Sequence, residues 1–239
     1  MKTLTIKLSA PLQSYGMEAS FNERTTQLYP SKSAVLGMIG AALGYRRNDD
    51  RLKKLNDLSY AVRVDQSGLT TTDFQNVEYA PSKRKVTHRH YLQDALFIVA
   101  IGSENEALIE EINYALHHPI FQIYLGRRSN PIAGVIETKI VDGLNPLQVL
   151  KELPWQANKW YKVKKYSQKL APLSIYADAY LVEEGEVIMA RDLIGCFNQK
   201  RRYHRYRGLR QVNIQVKNSE YQEQNDLENI WWDAIGGEK

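Results

Sequence analysis

The chain has 239 residues, 43% of them hydrophobic, which suits one elaborated domain with a real core; its formal net charge is +5. These figures exclude wholesale disorder and a run long enough to span a bilayer, and the single cysteine, Cys196, excludes an internal disulfide or a multi-cysteine metal knuckle. Charge is unevenly spread: residues 218–238 hold six acids and no Lys or Arg, which leaves +10 on residues 1–217, a body that attracts polyanions such as nucleic acid.

Lys2 to Leu8 reads as a strand with Leu4, Ile6 and Leu8 on one face. It has no signal-peptide core, so a cytoplasmic location and no membrane partner are expected. Ala10 to Gly16 is a loop opened by Pro11. Ser31 or Ser33 can cap a helix running to about Leu43, and Val35, Leu36, Ile39, Ala42 and Leu43 form its apolar face. Gly37, Gly40 and Gly44 share a face too, which points to close approach of another backbone or, for Gly44, to an end cap. Leu58 to Val64 is a second strand, and residues 66–90 form a polar, basic excursion. Tyr91 to Ile101 is a third strand, apolar throughout from Ala95 as a strand covered on both faces must be. Ser103 and Glu106 make a capping box for a helix that buries Leu108, Ile109, Ile112, Ala115 and Leu116 and stops at His118-Pro119. Phe121 to Leu125 is extended and leads into Gly126-Arg127-Arg128-Ser129-Asn130-Pro131, and Val135 to Val141 is another strand.

The order β-α-β-β-α-β is that of a ferredoxin-like, RRM-like α+β palm occupying residues 1–145, with 66–90 as an insertion. Beyond Pro146 the pattern weakens. Trp160 to Tyr166, Tyr176 to Glu183, Glu186 to Ala190 and Val212 to Val216 read as strands of a small β-rich appendage over 146–217, and 218–239 is an acidic tail carrying Trp231 and Trp232. The tail suits docking on the basic body or on a partner, and its structure starts, if anywhere, as a helix near Asp226.

Chemistry concentrates in four places. The richest basic run is Lys200, Arg201, Arg202, Arg205, Arg207 and Arg210 with Tyr203, His204 and Tyr206 interleaved. Guanidiniums fork onto phosphates and aromatic rings stack on unpaired bases, so the mixture suits single-stranded RNA; it equally suits a solvated strand face. A second run, Lys83, Arg84, Lys85, His88, Arg89 and His90, lies in the insertion. A third, Lys159, Lys162, Lys164, Lys165 and Lys169 with Trp160, Tyr161 and Tyr166, reads better as a strand with outward lysines than as a site. Gly126-Arg127-Arg128-Ser129 combines a backbone that can approach a phosphate with two cations and a hydroxyl donor. There is no Walker loop, dinucleotide fingerprint or HExxH, and no cofactor or metal is expected.

Four segments carry a family resemblance. They are Ala10-Pro11-Leu12-Gln13-Ser14-Tyr15-Gly16, the glycine-rich helix from Pro30 to Gly44, Tyr91-Leu92-Gln93-Asp94-Ala95, and Tyr124 to Pro131. In order and spacing, from residue 3 to about 145, they resemble the CasD family, which binds the 5′ handle of the guide RNA in type I-E Cascade complexes. The C-terminal third matches weakly, around Ala190-Arg191-Asp192, and the acidic tail departs from the pattern. The resemblance implies a palm with a β-hairpin thumb at 66–90, and a guide RNA hooked near residues 13–16 and 126–130. It implies as partners the backbone subunit CasC, the large subunit CasA and, through the assembled complex, target DNA. Lys32, Arg46, Lys83, Arg84, Lys85, Arg127, Arg128, Arg201 and Arg205 would meet phosphates. Gln13, Ser14, Gly16, Ser33, Gly126, Ser129, His88 and His90 would line the same surface, and Tyr15 either stacks on a base or plugs the core. Type I-C relatives that cleave repeat RNA supply the enzymatic alternative, with Tyr45, Lys85, His88 and His90 as its candidates; a protein-interaction module without RNA is the third reading.

Overall fold

The computed structural model describes residues 1–16, 20, 22–165, 168–198 and 200–221. The acidic tail from 222 onward, with Trp231 and Trp232, lies outside the described residues. The chain is α+β. In order it forms β1 (Lys2–Ser9), β2 (Leu12–Gln13), β3 (Glu23–Arg24), α1 (Lys32–Ala42), α2 (Arg51–Lys54), β4 (Ser59–Gln66), β5 (Leu69–Ala80), β6 (Lys83–Gln93), β7 (Leu96–Ser103) and α3 (Glu106–His117). Then follow β8 (Glu137–Asp142), α4 (Pro146–Glu152), α5 (Lys159–Lys165), β9 (Leu170–Asp178), β10 (Ile188–Cys196) and β11 (Tyr203–Lys217). Among the described residues no helix is long and apolar enough to cross a membrane.

Seven strands make one antiparallel sheet in the order β10-β11-β9-β4-β7-β1-β8. Alternation along the strands gives each face its own core. Leu4, Ile6, Leu8, Tyr60, Val62, Phe97, Val99 and Ile101 pack under α1 and α3, while Ala61, Leu96, Ile98 and Ala100 pack against Leu147 and Leu150 of α4. The apolar run of β7 is therefore covered on both sides. Residues 170–217 continue this sheet through β9, which pairs with β4.

A second, four-stranded sheet projects from the end where β4 stops and β7 begins. Its centre is β6, paired along its length with β5 as a hairpin turning at Pro81-Ser82, and flanked by β2 and, in parallel, by β3. The insertion thus holds a hairpin running three residues past its expected end at 90.

Several local expectations are corrected. Tyr91 to Ile101 is two strands, broken where Asp94 takes a positive φ of 55°. The second long helix is capped by Asn105, whose side chain accepts from the Leu108 amide, not by a Ser103–Glu106 box; Ser103 instead accepts from the Asn105 amide. Residues 159–165 are helix rather than strand, because Tyr161 turns inward beside Trp155 and Leu173 while Trp160 and Val163 face solvent. The strand from Tyr176 ends at Asp178 and turns through Ala179–Leu181. Cys196 is half-buried at the end of β10. Gly44 does cap α1 with φ 76°, and what crowds Gly40 is the Leu52 side chain of α2.

The two halves are joined by a buried ionic set beneath α1. Arg207 Nε and Nη2 donate to Asp192 at 2.7 and 3.0 Å, and Nη1 donates to Asp178 at 2.7 Å. Asp178 also accepts from Lys32 Nζ at 3.1 Å and from the Tyr60 amide at 2.8 Å, and Asp192 accepts from the Lys32 amide at 2.8 Å in the first turn of α1. Burial pulls the Lys32 ammonium below its ordinary range, and Asp178 opposes that pull. Removing one member leaves a buried charge without its counter-ion. Asp178→Ala is expected to lower folding stability by about 3–5 kcal/mol in urea unfolding, whereas Arg128→Ala at the exposed loop should stay within about 0.5 kcal/mol. A loss below about 1 kcal/mol for Asp178→Ala would mean that the set is solvated and not the tie described.

Candidate nucleic-acid interface

The loop after β1, the root of the hairpin and the Gly-Arg loop meet at one end of the large sheet. Gln13 is buried; its Nε2 donates to Ala95 O at 2.7 Å and its Oε1 accepts the Tyr15 hydroxyl at 2.7 Å. Tyr15 packs edge-on to Phe97, and burial pushes its hydroxyl pKa far up. Of the two roles open to Tyr15, it fills that of a core plug. Ser14 is buried as well, its Oγ donating to His90 O at 3.1 Å and its amide to Leu125 O at 3.2 Å. Gln13, Ser14 and Tyr15 are thus the scaffold of this end, not its outer surface. The next residue, Gly16, leaves no room for a side chain beside Thr25 O.

The Gly-Arg loop is closed from within. The Leu125 amide donates to Asn130 O at 2.8 Å, the Asn130 amide to Arg127 O at 2.9 Å, and the buried Asn130 side chain to Leu125 O at 3.3 Å. Gly126 sits at φ 87°, and a Cβ there would overlap the Ser14 carbonyl. With the turn fixed, Arg127 is aimed back at the hairpin. Its guanidinium lies 4.4 Å from the centroid of the Tyr91 ring and donates through Nη2 to Arg24 O at 2.9 Å. Arg128 and Ser129 are exposed.

Strand pairing adds two arginines. Arg24 of β3 lies opposite Arg89 of β6, and Arg89 is two residues from Tyr91, hence on the same face of that strand. Among the described residues, two sealed side-chain donors lack a protein acceptor: Nη1 of Arg127 and Nε of Arg89. Sealing a donor without an acceptor costs roughly 1–3 kcal/mol, more for a charged group. Arg24 escaped sequence reasoning because it stands alone in a short segment, and only the parallel β3–β6 pairing brings it here.

The hairpin carries the second basic run. Lys83, Arg84, Lys85 and His88 are exposed, and Arg84 pairs loosely with Glu78 at 3.4 Å. Phe74, Tyr79 and Val86 are exposed with them, so the hairpin offers cations and apolar surface together. His90 is held between Thr72, 3.0 Å from Nδ1, and Glu23, 3.1 Å from Nε2.

Other expected residues lie elsewhere. Lys32, expected at a phosphate, is buried against Asp178 because α1 starts over the ionic set. Ser33 is half-buried in the first turn of α1, and Arg46 is exposed just beyond that helix. Tyr45 lies in the connection between α1 and α2, with Arg51 4.2 Å from its ring centroid, while His88, His90 and Lys85 are on β6, so one of the four enzymatic candidates is on a different segment from the other three. Burial, reinforced by the charge of Glu111, raises the Tyr45 pKa, which disfavours the phenolate a base would need. The run from 200 to 210 divides. Arg207 is in the ionic set, and Arg210 is spent on the carbonyls of Gly185, Ala179 and Val182. Arg201 and Arg205 are exposed, as are Tyr203 and Tyr206. Among the described residues no group of His, Cys, Asp and Glu could hold a metal ion.

Comparison with known proteins completes this picture. The family model Cas5d, described as CRISPR-associated protein (Cas_Cas5), matches residues 3–211. The chain is 33% identical over 149 residues to "CRISPR system Cascade subunit CasD" of Escherichia coli K12, a match covering 54% of this chain and 66% of that relative. A chain of a solved "CRISPR RNA-guided surveillance complex" superposes with a TM-score of 0.73 at 27% identity, covering 98% of this chain and 100% of that one. A second solved structure, described as a Cas protein, gives 0.61 at 29% identity over 92% and 98% of the two chains.

Gly126→Ala tests the loop geometry directly. The added methyl must displace Ser14 or open the turn. Stability should fall by more than about 1 kcal/mol, and hydrogen exchange should quicken at the Ser14 and Asn130 amides above all others. Unchanged exchange at Ser14 would show that the loop is not braced against it.

Proposed function

Because the chain belongs to the Cas5 family of CRISPR-associated proteins, we propose that it is a guide-RNA-binding subunit of a Cascade-type complex that grips the 5′ handle and cleaves nothing. The observation that carries this reading is Arg127, stacked on the Tyr91 ring and bonded to Arg24 O, with its Nη1 lacking a protein acceptor among the described residues, as does Nε of Arg89, which pairs with Arg24 across β3 and β6. Phosphate oxygens are acceptors of the right charge and forked geometry for such groups.

In this reading the order β8-β1-β7-β4, with α1 and α3 on one face, is a ferredoxin-like palm over residues 1–145. The β5–β6 hairpin is its thumb, 146–217 the β-rich appendage and 218–239 the acidic tail. Backbone contacts come from Arg127, Arg128, Ser129, Arg89 and Arg24, and from Lys83, Arg84 and Lys85 along the thumb. His88, Phe74 and Tyr79 offer surfaces for unpaired bases. Gln13, Ser14, Tyr15 and Gly126 serve by holding the two loops in place. Arg201, Arg205 and Arg46 are farther contacts. The neighbours would be the backbone subunit CasC and the large subunit CasA, with target DNA reached through the assembly. A binding role agrees with the scatter of the enzymatic candidates and with His90 being engaged by Thr72 and Glu23.

Affinity for the 5′ handle of the guide should fall steeply with salt, with a log–log slope of roughly 0.7 per neutralised phosphate on a single strand. Arg89→Ala with Arg127→Ala should lower affinity at least about tenfold and reduce that slope by about 1–2. An unchanged slope would refute the anion site. Incubated with its own repeat RNA, the chain should release no fragments; metal-free cleavage lost in His88→Ala or His90→Ala would instead establish an endoribonuclease.

A further inference from the structure

The third basic run finds no place in the proposed RNA grip, and neither does the acidic tail. Both belong to the same corner of the molecule. Helix α5 turns Lys159, Trp160, Val163 and Lys164 toward solvent, and Lys169 and Leu170 lie beside it at the start of β9. Trp160 is 53% exposed and Val163 55%, a large apolar surface for so short a helix. Among the described residues Lys164 and Lys169 have no anionic partner, and Lys159 reaches only Glu220, at 3.9 Å.

The described chain comes to its last residues on this helix. Asn218 is buried and its Nδ2 donates to Lys162 O at 3.3 Å, while Lys162 Nζ lies 3.4 Å from Ser219 Oγ. Glu220 follows, against Lys159. The next residues in sequence, 222–239, carry Glu223, Asp226, Glu228, Asp233 and Glu238 against one lysine, Lys239, and hold Leu227, Ile230, Trp231, Trp232 and Ile235. Helix α5 is only about 10 Å long, and the ten residues from Tyr221 to Trp231 can span up to roughly 33 Å. The segment therefore has the reach, the opposite charge and the apolar groups for the surface it leaves from.

We infer that residues 222–239 dock in cis on the surface formed by Lys159, Trp160, Val163, Lys164, Lys169 and Leu170. Tail carboxylates pair with the lysines, and tryptophan or isoleucine covers Trp160 and Val163. Each surface ion pair contributes little, so the apolar cover supplies most of the hold and the charges set which surface is chosen.

The test uses the full chain. A zero-length carbodiimide should join tail acids to Lys159, Lys164 or Lys169. In a mixture of light and heavy isotope-labelled protein, those crosslinks should stay within one label. Chymotrypsin should cut after Trp231 and Trp232 at least about tenfold faster in the triple variant K159E/K164E/K169E, whose fold is checked by circular dichroism. Raising salt to about 0.5 M should give a smaller acceleration in the unaltered chain. Equal cleavage rates in the two proteins would overturn the proposal. So would crosslinks that join the two labels, which point to a second copy, or crosslinks confined to the hairpin lysines. Failure here would leave the RNA grip untouched, since none of these residues belongs to it.

Discussion

Asp178 and Asp192 are the carboxylates on which the arrangement of the molecule turns. Between them they receive Lys32 and Tyr60 from the first half of the chain and Arg207 from β11. Two anions and two cations, all buried, leave no net charge to solvate. Hydrogen bonds complete their geometry, which is the condition under which buried ions are tolerated. The consequence reaches well beyond local stability. Asp178 ends β9 and Asp192 lies in β10, so the position of α1 over the sheet is tied to three strands that arrive more than a hundred residues later.

That tie bears on the candidate interface through the core. Helix α1 and the buried Tyr15, Leu92, Ala95 and Leu125 share one hydrophobic cluster with β1 and β7. The loop that presents Arg127 and the strand that presents Arg89 are thus rooted in the same packing unit as the ionic set. Rigid roots matter for a cationic site, because guanidiniums on mobile loops lose entropy when they close on a phosphate. Here the cost of ordering is met in folding: Ser14, Gly126 and Asn130 hold the turn, and Tyr91 holds the arginine plane.

The sequence made some of this plain and hid the rest for physical reasons. Alternation in β1, the glycine-bearing α1 and the uninterrupted apolar run of β7 are governed by local periodicity, and they were readable. So was the Gly-Arg loop, because a glycine at positive φ beside two arginines is a local device. Lys32 was misjudged since its fate depends on Asp178, 146 residues away. Arg207 and Arg210 were grouped with Arg201 and Arg205 on charge alone, although Arg207 is buried against Asp178 and Asp192 while Arg205, two residues before it on β11, is exposed. Residues 159–165 have β-favouring aromatics, yet burial of Tyr161 against Trp155 makes them helix. Helix α4 has its own local signature in Asn145-Pro146 and the reciprocal Asn145–Gln148 cap, but at seven residues it is too short to show a helical period among the strand-like runs around it.

One division of labour follows from where the arginines and lysines lie. Arginines occupy several of the described positions in which a cation is buried or stacked: Arg63 against Asp65 and three carbonyls, Arg207 against two carboxylates, Arg127 on Tyr91. Lys32 is the exception among the buried cations discussed, and it has the depressed pKa to show for it. Exposed lysines include Lys83 and Lys85 on the hairpin and Lys159 and Lys164 on α5, where a compact, strongly hydrated charge keeps its water. Guanidiniums therefore define shape in this molecule, in its core and at its candidate anion site alike. Lysines define the longer-range field that draws a polyanion toward that site, and a field of that kind needs an opposing charge wherever the polyanion is not wanted. The acidic segment that follows β11 begins in space, not in sequence, beside the lysine cluster that is not part of the grip, where Glu220 lies 3.9 Å from Lys159.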